Sequence, residues 1–348
     1  MAERDSNRVA AASGIAELGT EAARARSSYG EGALIVCDQV VRIYSGDGIE
    51  VQALQGLDLL IGQGELVAMV GASGSGKSTL MNILAGLDTP TAGRVRVAGL
   101  DLGLLTARQR LTYRRSDVGF VWQQTSRNLL PYLTAKQNVT TPMRFAGMGR
   151  RARSARAMDL LGAMGVAHCA NRVPSQMSGG EQQRTAIATA LANNPRVLLA
   201  DEPTGELDSA TARDVFGALQ TANSDLGATV LVVTHDPAVS SQVQRTVAIR
   251  DGRTSSETLR HDLADEAGNT TRHAVEYAVL DRAGRVQLPR DMIEPLEMRD
   301  RVRLEAEVDH IGVWPDRPGD RLTPGSPRPE TGPAIGGPDA RPNAGEDR

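Results

Sequence analysis

Leu66-Val67-Ala68-Met69-Val70-Gly71-Ala72-Ser73-Gly74-Ser75-Gly76-Lys77-Ser78-Thr79 is the stretch that decides the fold. The apolar run Leu66–Val70 reads as a buried strand, and Leu80 to Ala85 reads as a helix. Between them Gly71 to Ser78 fits G-x-x-x-x-G-K-[ST], the spacing of a phosphate-binding loop. Glycines let the backbone bend so that successive N–H groups point inward at phosphate oxygens. The helix that follows adds the partial positive charge of its N-terminus. Lys77 is placed to reach β- and γ-phosphates, and the Ser78 hydroxyl to bind Mg²⁺. Residues Gly71, Ala72, Ser73, Gly74, Ser75, Gly76, Lys77, Ser78 and Thr79 are therefore the first candidate site.

Outward from this loop, strand-like and helix-like segments alternate over residues 32–254, the pattern of an α/β domain. Val197-Leu198-Leu199-Ala200 and Thr229-Val230-Leu231-Val232-Val233 are continuous apolar runs, which suit a parallel sheet covered on both faces. Leu129 to Cys169 reads as mostly helical and carries Arg144, Arg150, Arg151, Arg153 and Arg156, either a solvated face or a contact for acidic groups of a partner.

A second constellation follows the Val197–Ala200 run, where Asp201 and Glu202 stand side by side at a strand end. Strand C-terminal ends of parallel sheets carry ligands. Asp201 is placed to hold a Mg²⁺ shell, and Glu202 to orient or deprotonate an attacking water, two tasks that one carboxylate does not serve together. The third constellation is Met177-Ser178-Gly179-Gly180-Glu181-Gln182-Gln183-Arg184, a glycine-rich turn opening a helix. It is either a simple serine cap with flexible glycines or a second anion cradle. With a single phosphate loop in the chain, a second cradle makes sense for a nucleotide held by another copy of the domain.

These motifs, in this order, resemble the nucleotide-binding subunit of an ATP-binding cassette (ABC) transporter. Leu87-Asp88-Thr89-Pro90-Thr91-Ala92-Gly93, Ala200-Asp201-Glu202-Pro203-Thr204-Gly205 and Val232-Val233-Thr234-His235-Asp236 are similar to the branch serving lipoprotein release, macrolide export and cell division. The resemblance implies a P-loop ABC ATPase domain with a mostly parallel core sheet, an antiparallel β subdomain and a helical subdomain. It implies ATP and Mg²⁺ as ligands, with Tyr44 as the adenine-stacking aromatic. Gln123 matches the loop that senses Mg²⁺ and water and touches the membrane subunit. His235 matches the switch histidine at the γ-phosphate, and Asp208 the loop that speaks across the dimer. The implied assembly is a head-to-tail homodimer in which Ser178, Gly179 and Gly180 of one copy face the phosphate loop of the other. A separate transmembrane permease bound over Gln123 to about Phe145 is the implied partner. Met177 departs from the usual Leu in shape only, and Glu206 adds a charge where relatives carry a neutral residue.

Composition agrees with such a subunit. The chain has 348 residues, 40% apolar and 23% charged, with a formal net charge of −3, so no global field favours nucleic acid. No run of 18 apolar residues suggests a membrane span, and Met1 to Asp5 opens no apolar signal core. The expectation is a cytoplasmic protein, peripheral on the inner face of the plasma membrane. Cys37 and Cys169 read as two packed thiols, and the five histidines form no metal-ligand spacing.

Flanking the domain, residues 1–31 read as a flexible extension, 255–271 as a polar linker, and 314–348 as a disordered Pro/Gly-rich tail. Residues 272–313 read as a small β-rich module, with Val302, Leu304, Ala306 and Val308 sharing one face. Val279 to Arg290 more weakly resembles the swapped-hairpin module of AbrB-like regulators, which dimerises and often binds DNA. Residues 272–310 hold seven Arg and no Lys against nine acidic residues, which favours dimerisation or regulation over DNA binding. An output to cell-wall or cell-division machinery through a membrane partner is the alternative to transport.

Overall fold

The computed structural model describes residues 29–46, 48–264 and 270–316. The expected extension up to residue 28 and the tail from 317 lie outside the described residues. β1 (Ile35–Gly46) and β2 (Ile49–Ile61) form a long antiparallel hairpin. β3 (Leu66–Val70) then runs through the glycine-rich loop into α1 (Lys77–Leu84). β4 (Ala92–Val97) and β5 (Leu100–Asp101) return to the first sheet, and α2 (Ala107–Ser116) leads to β6 (Val118–Val121). Three helices follow: α3 (Ala135–Phe145), α4 (Arg150–Ala163) and α5 (Gly179–Ala190). Next come β7 (Val197–Asp201), α6 (Ser209–Ser224), β8 (Thr229–Val233), α7 (Pro237–Ser240) and β9 (Arg245–Arg250). β10 (Arg253–Ala264) and β11 (Thr270–Ala278) extend the sheet.

The central sheet has the order β11-β10-β9-β3-β8-β7-β6. β9, β3, β8, β7 and β6 are parallel, and β10 and β11 are added antiparallel. A second sheet, β2-β1-β4-β5, is antiparallel throughout. The mostly parallel core sheet, the β subdomain and the helical segment are thus all present.

The apolar runs of β7 and β8 are buried on both faces, and their alternation sorts them into two cores. Leu199, Leu231 and Val233 face α1, whose Leu80, Met81, Ile83 and Leu84 are clamped against Leu54, Ile61 and Val97 of the second sheet. Leu198, Val230 and Val232 face the other way, toward Val139, Leu161, Ile187, Phe216 and Leu219 of the four helices α3 to α6. Rigid packing on both sides fixes the C-terminal ends of β3, β7 and β8 relative to one another. Cys37 and Cys169 are both buried and free. Among the described residues no helix is long and apolar enough to cross a membrane.

The C-terminal half departs from expectation. Residues 255–264 are not linker but strand: β10 pairs with β9 on one side and β11 on the other. Its alternating polar residues conceal it, because the sheet rather than a buried apolar face recruits it. Residues 272–278 likewise belong to the edge of this sheet and not to a separate module. The stretch resembling a swapped hairpin is divided. Leu280 bridges Val286 within the first compact unit, which ends at Gln287, and the second unit begins at Leu288. The turn docks on the β subdomain, where Arg282 Nη1 lies 2.6 Å from Asp38 Oδ1 and its guanidinium 4.7 Å from the Tyr29 ring centre. The second unit holds α8 (Arg290–Ile293) and the hairpin β12 (Val302–Ala306)–β13 (Ile311–Pro315). Val302, Leu304 and Ala306 alternate along β12 and are exposed, whereas Val308 lies in the turn beyond the strand and so is not part of that face.

Candidate nucleotide site

The loop from Gly71 to Gly76 leaves β3 at its C-terminal end, with β8 and β9 on either side. Gly76 has φ +104°, and a Cβ there would stand 2.6 Å from the Ala53 carbonyl oxygen of β2, so only glycine fits. α1 opens without a side-chain cap. The backbone N–H groups of its first turn are thus left to an outside acceptor. Lys77 is buried, and its Nζ donates to the carbonyls of Gly71 (2.8 Å) and Ala72 (2.9 Å).

β7 ends at Asp201, whose carboxylate lies close to the Ser78 hydroxyl. Burial pushes the Asp201 carboxyl above its ordinary range, and the charge of Glu202 adds to this, while Lys77 and Ser78 oppose it. Hydroxyl and carboxylate together offer hard oxygen donors, the set Mg²⁺ prefers.

Glu202 follows in the left-handed region, φ +47°, and its N–H donates to Val233 O at 3.0 Å. Because Asp201 pairs with Val233 in the β7–β8 register, the residues just beyond the two strand ends face each other. His235 Nδ1 consequently lies 3.2 Å from Glu202 Oε2. A Cβ on Gly205 would stand 3.1 Å from Gln123 Nε2 and 3.6 Å from Glu202 Oε2, so this glycine lets the two side chains approach one place. A cavity of about 300 Å³ lies against Glu202, Thr204, Gly205, Thr234 and His235. The backbone just before Gln123 is fixed by Asn128 and Gln183, for neither of which the sequence suggested such a part. Asn128 accepts from Trp122 N–H (2.8 Å) and donates to Trp122 O (2.8 Å), and the buried Gln183 donates to that same oxygen at 3.2 Å. Gln183 lay within the quoted 177–184 run, but nothing local marks Asn128.

Tyr44 stands late in β1, 39% exposed, and its hydroxyl donates to Asp88. Ser178 caps α5: its Oγ accepts from Glu181 N–H (3.2 Å), and Glu181 Oε2 accepts from Ser178 N–H (2.8 Å). An oxygen that accepts in this way keeps its own hydrogen for an anion. Asp208 caps α6 through Ala210 N–H and Thr211 N–H, both at 3.0 Å. A Cβ on Gly180 would meet Thr211 Cγ2 at 2.2 Å, so the starts of α5 and α6 touch. The chain thereby groups Ser178, Gly179, Gly180 and Asp208. Among the described residues no hydrogen bond or ion pair joins them to Gly71–Thr79.

The histidine spacing had suggested no metal ligands, yet His168, Cys169 and Glu181 bring donor atoms within 4.8 Å of one another. Arg172 already supplies a cation there, with Nη1 3.8 Å from Glu181 Oε1 and 3.9 Å from Cys169 Sγ.

The ABC transporter family profile matches residues 54–205. The ATP-binding cassette MJ0796, solved as a dimer in a post-hydrolysis state bound to ADP and Pi, is 40% identical, with a TM-score of 0.59 over 64% of this chain and 97% of that one. The chain belongs to the ABC transporter family of ATP-binding cassettes. CbiO1 of Clostridium perfringens, part of the cbiONQ ABC transporter complex, is 26% identical, with a TM-score of 0.59 over 64% of this chain and 87% of that chain. The macrolide export ATP-binding/permease protein MacB of Chromobacterium violaceum is 48% identical over 221 residues, 64% of this chain and 34% of that protein. MacB of Escherichia coli K12 is 46% identical over 238 residues, 68% and 36% respectively. The cassette thus spans about a third of the length of the MacB relatives it matches.

Proposed function

We propose that this cassette hydrolyses ATP to drive a separate membrane permease, working as a head-to-tail homodimer on the cytoplasmic face of the membrane. The observation that carries the reading is the meeting of Glu202 and His235 at two strand ends, beside Asp201, Ser78 and Lys77. On this reading the 71–79 loop and Lys77 bind the triphosphate. Tyr44 stacks on the adenine. Glu202 takes the proton of the attacking water, and His235 steadies the γ-phosphate and the carboxylate together. Ser78, Asp201 and Gln123 would hold Mg²⁺, which when bound neutralises charge on the phosphates.

Ser178, Gly179, Gly180 and Asp208 lie grouped and apart from their own phosphate loop, as they must if they complete the site of a second copy. MJ0796 was solved as a dimer, which supports the same arrangement. Closure around two nucleotides expels water and aligns the reacting groups. For the permease, a cavity of about 380 Å³ between α3 and the start of β6 is lined by Arg114, Arg115, Phe120, Phe145 and Asn193. Phe145 is 72% exposed, and so, at 73%, is Tyr132, just ahead of α3. Affinity purification of the intact protein from membranes tests the coupling: a polytopic membrane protein should co-purify and raise the ATPase rate. A fully active ATPase that captures no membrane protein would refute it.

A further inference from the structure

Leu87-Asp88-Thr89-Pro90-Thr91-Ala92-Gly93 is prominent in the sequence, yet none of its residues has a part in the reading above. In the structure it supports Tyr44. The Asp88 carboxylate accepts the Tyr44 hydroxyl proton at 2.8 Å. The same carboxylate is gripped at two points by Arg42, Nε to Oδ2 at 2.9 Å and Nη2 to Oδ1 at 2.8 Å. The Arg42 guanidinium carbon lies 4.4 Å from the centre of the Tyr44 ring. Thr91 ties the strand down: its N–H donates to Val41 O (2.8 Å), and its Oγ1 accepts from Ile43 N–H (3.0 Å). Gly93 has φ +82°, and a Cβ there would meet Gln39 O at 2.2 Å, so the segment lies close along β1.

The ring of Tyr44 is thus fixed at its hydroxyl end and covered on one face by a cation. A phenol held by a charged acceptor loses its torsional freedom before any ligand arrives. A guanidinium over the ring is favourable in itself and leaves only the other face for stacking. We propose that Arg42 and Asp88 are positioning residues that lock the Tyr44 ring, so that a nucleobase stacks on the face opposite the guanidinium. The proposal rests on Tyr44 being the base platform. Stacking reads the π-face of a base and not its edge, so the lock raises affinity for adenine and guanine nucleotides alike.

Equilibrium binding of ADP, GDP and inorganic pyrophosphate to the full-length protein tests it. Tyr44→Ala should weaken ADP and GDP by about tenfold and leave pyrophosphate unchanged. Asp88→Ala should weaken both nucleotides by about threefold to tenfold, again sparing pyrophosphate, with Asp88→Asn intermediate. In a Tyr44→Ala background, Asp88→Ala should add less than about a twofold further loss, because the two residues act as one unit. Arg42→Ala should follow Asp88→Ala. The proposal is overturned if Tyr44→Ala weakens ADP while Asp88→Ala does not. It is equally overturned if the Asp88 loss persists in the Tyr44→Ala background or extends to pyrophosphate, which would make Asp88 a general structural prop. If Tyr44→Ala itself leaves ADP binding intact, the base platform is misassigned and the proposal falls with it.

Discussion

His235 Nδ1 stands 3.2 Å from Oε2 of Glu202, a pair created by two parallel strands that end side by side. Neither residue belongs to a strand. Glu202 follows directly from Asp201, and His235 stands two residues beyond Val233, so their meeting is set by the register of the β7–β8 ladder.

Glu202→Gln should lower the rate of phosphate release by at least about a hundredfold, because a positioned general base contributes on that scale or more. Nucleotide affinity should change little, since the amide keeps the shape of the side chain. A phosphate-release assay beside equilibrium binding checks both halves. Normal turnover by this variant would remove Glu202 from the role of base.

Two defective proteins should repair each other. Ser178→Arg fills the signature turn, and Lys77→Ala empties the phosphate loop of its cation. In a mixed dimer, one site joins the intact loop of the first protein to the intact turn of the second. Mixing equal amounts of the two inactive proteins should restore about a quarter of wild-type ATPase activity, half the dimers being mixed and each having one sound site. No recovery on mixing would argue against a shared site.

Acid should loosen the start of α5 in a defined direction. Hydrogen bonding to His168, then to Ser178, holds the Glu181 carboxyl down at about 2 against an ordinary value of 4.5. A folded-state pKa below the unfolded one means stabilisation that is complete above the unfolded value and lost as pH falls from 4.5 toward 2. Thermal melts from neutral pH down to about pH 3 should therefore show a shallower acid loss for Glu181→Gln than for wild type. Parallel curves would contradict the assignment.

The stability of the cassette should depend on residues beyond 254. Arg245 of β9 is held by Glu257 of β10 (2.9 Å), Glu65 (2.9 Å) and Leu60 O (2.8 Å). Glu257→Ala should cost about 1–3 kcal/mol, since it takes a charged partner from a half-buried guanidinium. A chain ending at Thr254 should melt at least about 5 °C below one ending at Gln287, as read by calorimetry.

How much of this was legible depended on how local the cause was. The phosphate loop, the 197–200 run and the 229–233 run each carry their own signal, because a buried parallel strand must be apolar on both faces. Asp201, Glu202 and His235 could be placed because each sits at or just past the end of such a run. β10 was not legible. Its Thr254, Ser256, Glu257 and Arg260 have nothing apolar to announce, and its partners are supplied by β9 and β11 through the sheet. The grip of Arg42 on Asp88 joins residues 46 apart, and the Gln183–Trp122 bond residues 61 apart, separations that no periodicity encodes.

Lys77 carries its ammonium turned back on the carbonyls of Gly71 and Ala72. On the proposed reading, a triphosphate must win that group from two oxygens it already satisfies. Measured affinity therefore reports an exchange between rival acceptors, not the full strength of the new attraction. The same exchange gives the loop a native partner for its charge to return to once product departs, which favours quick release and repeated firing over tight retention.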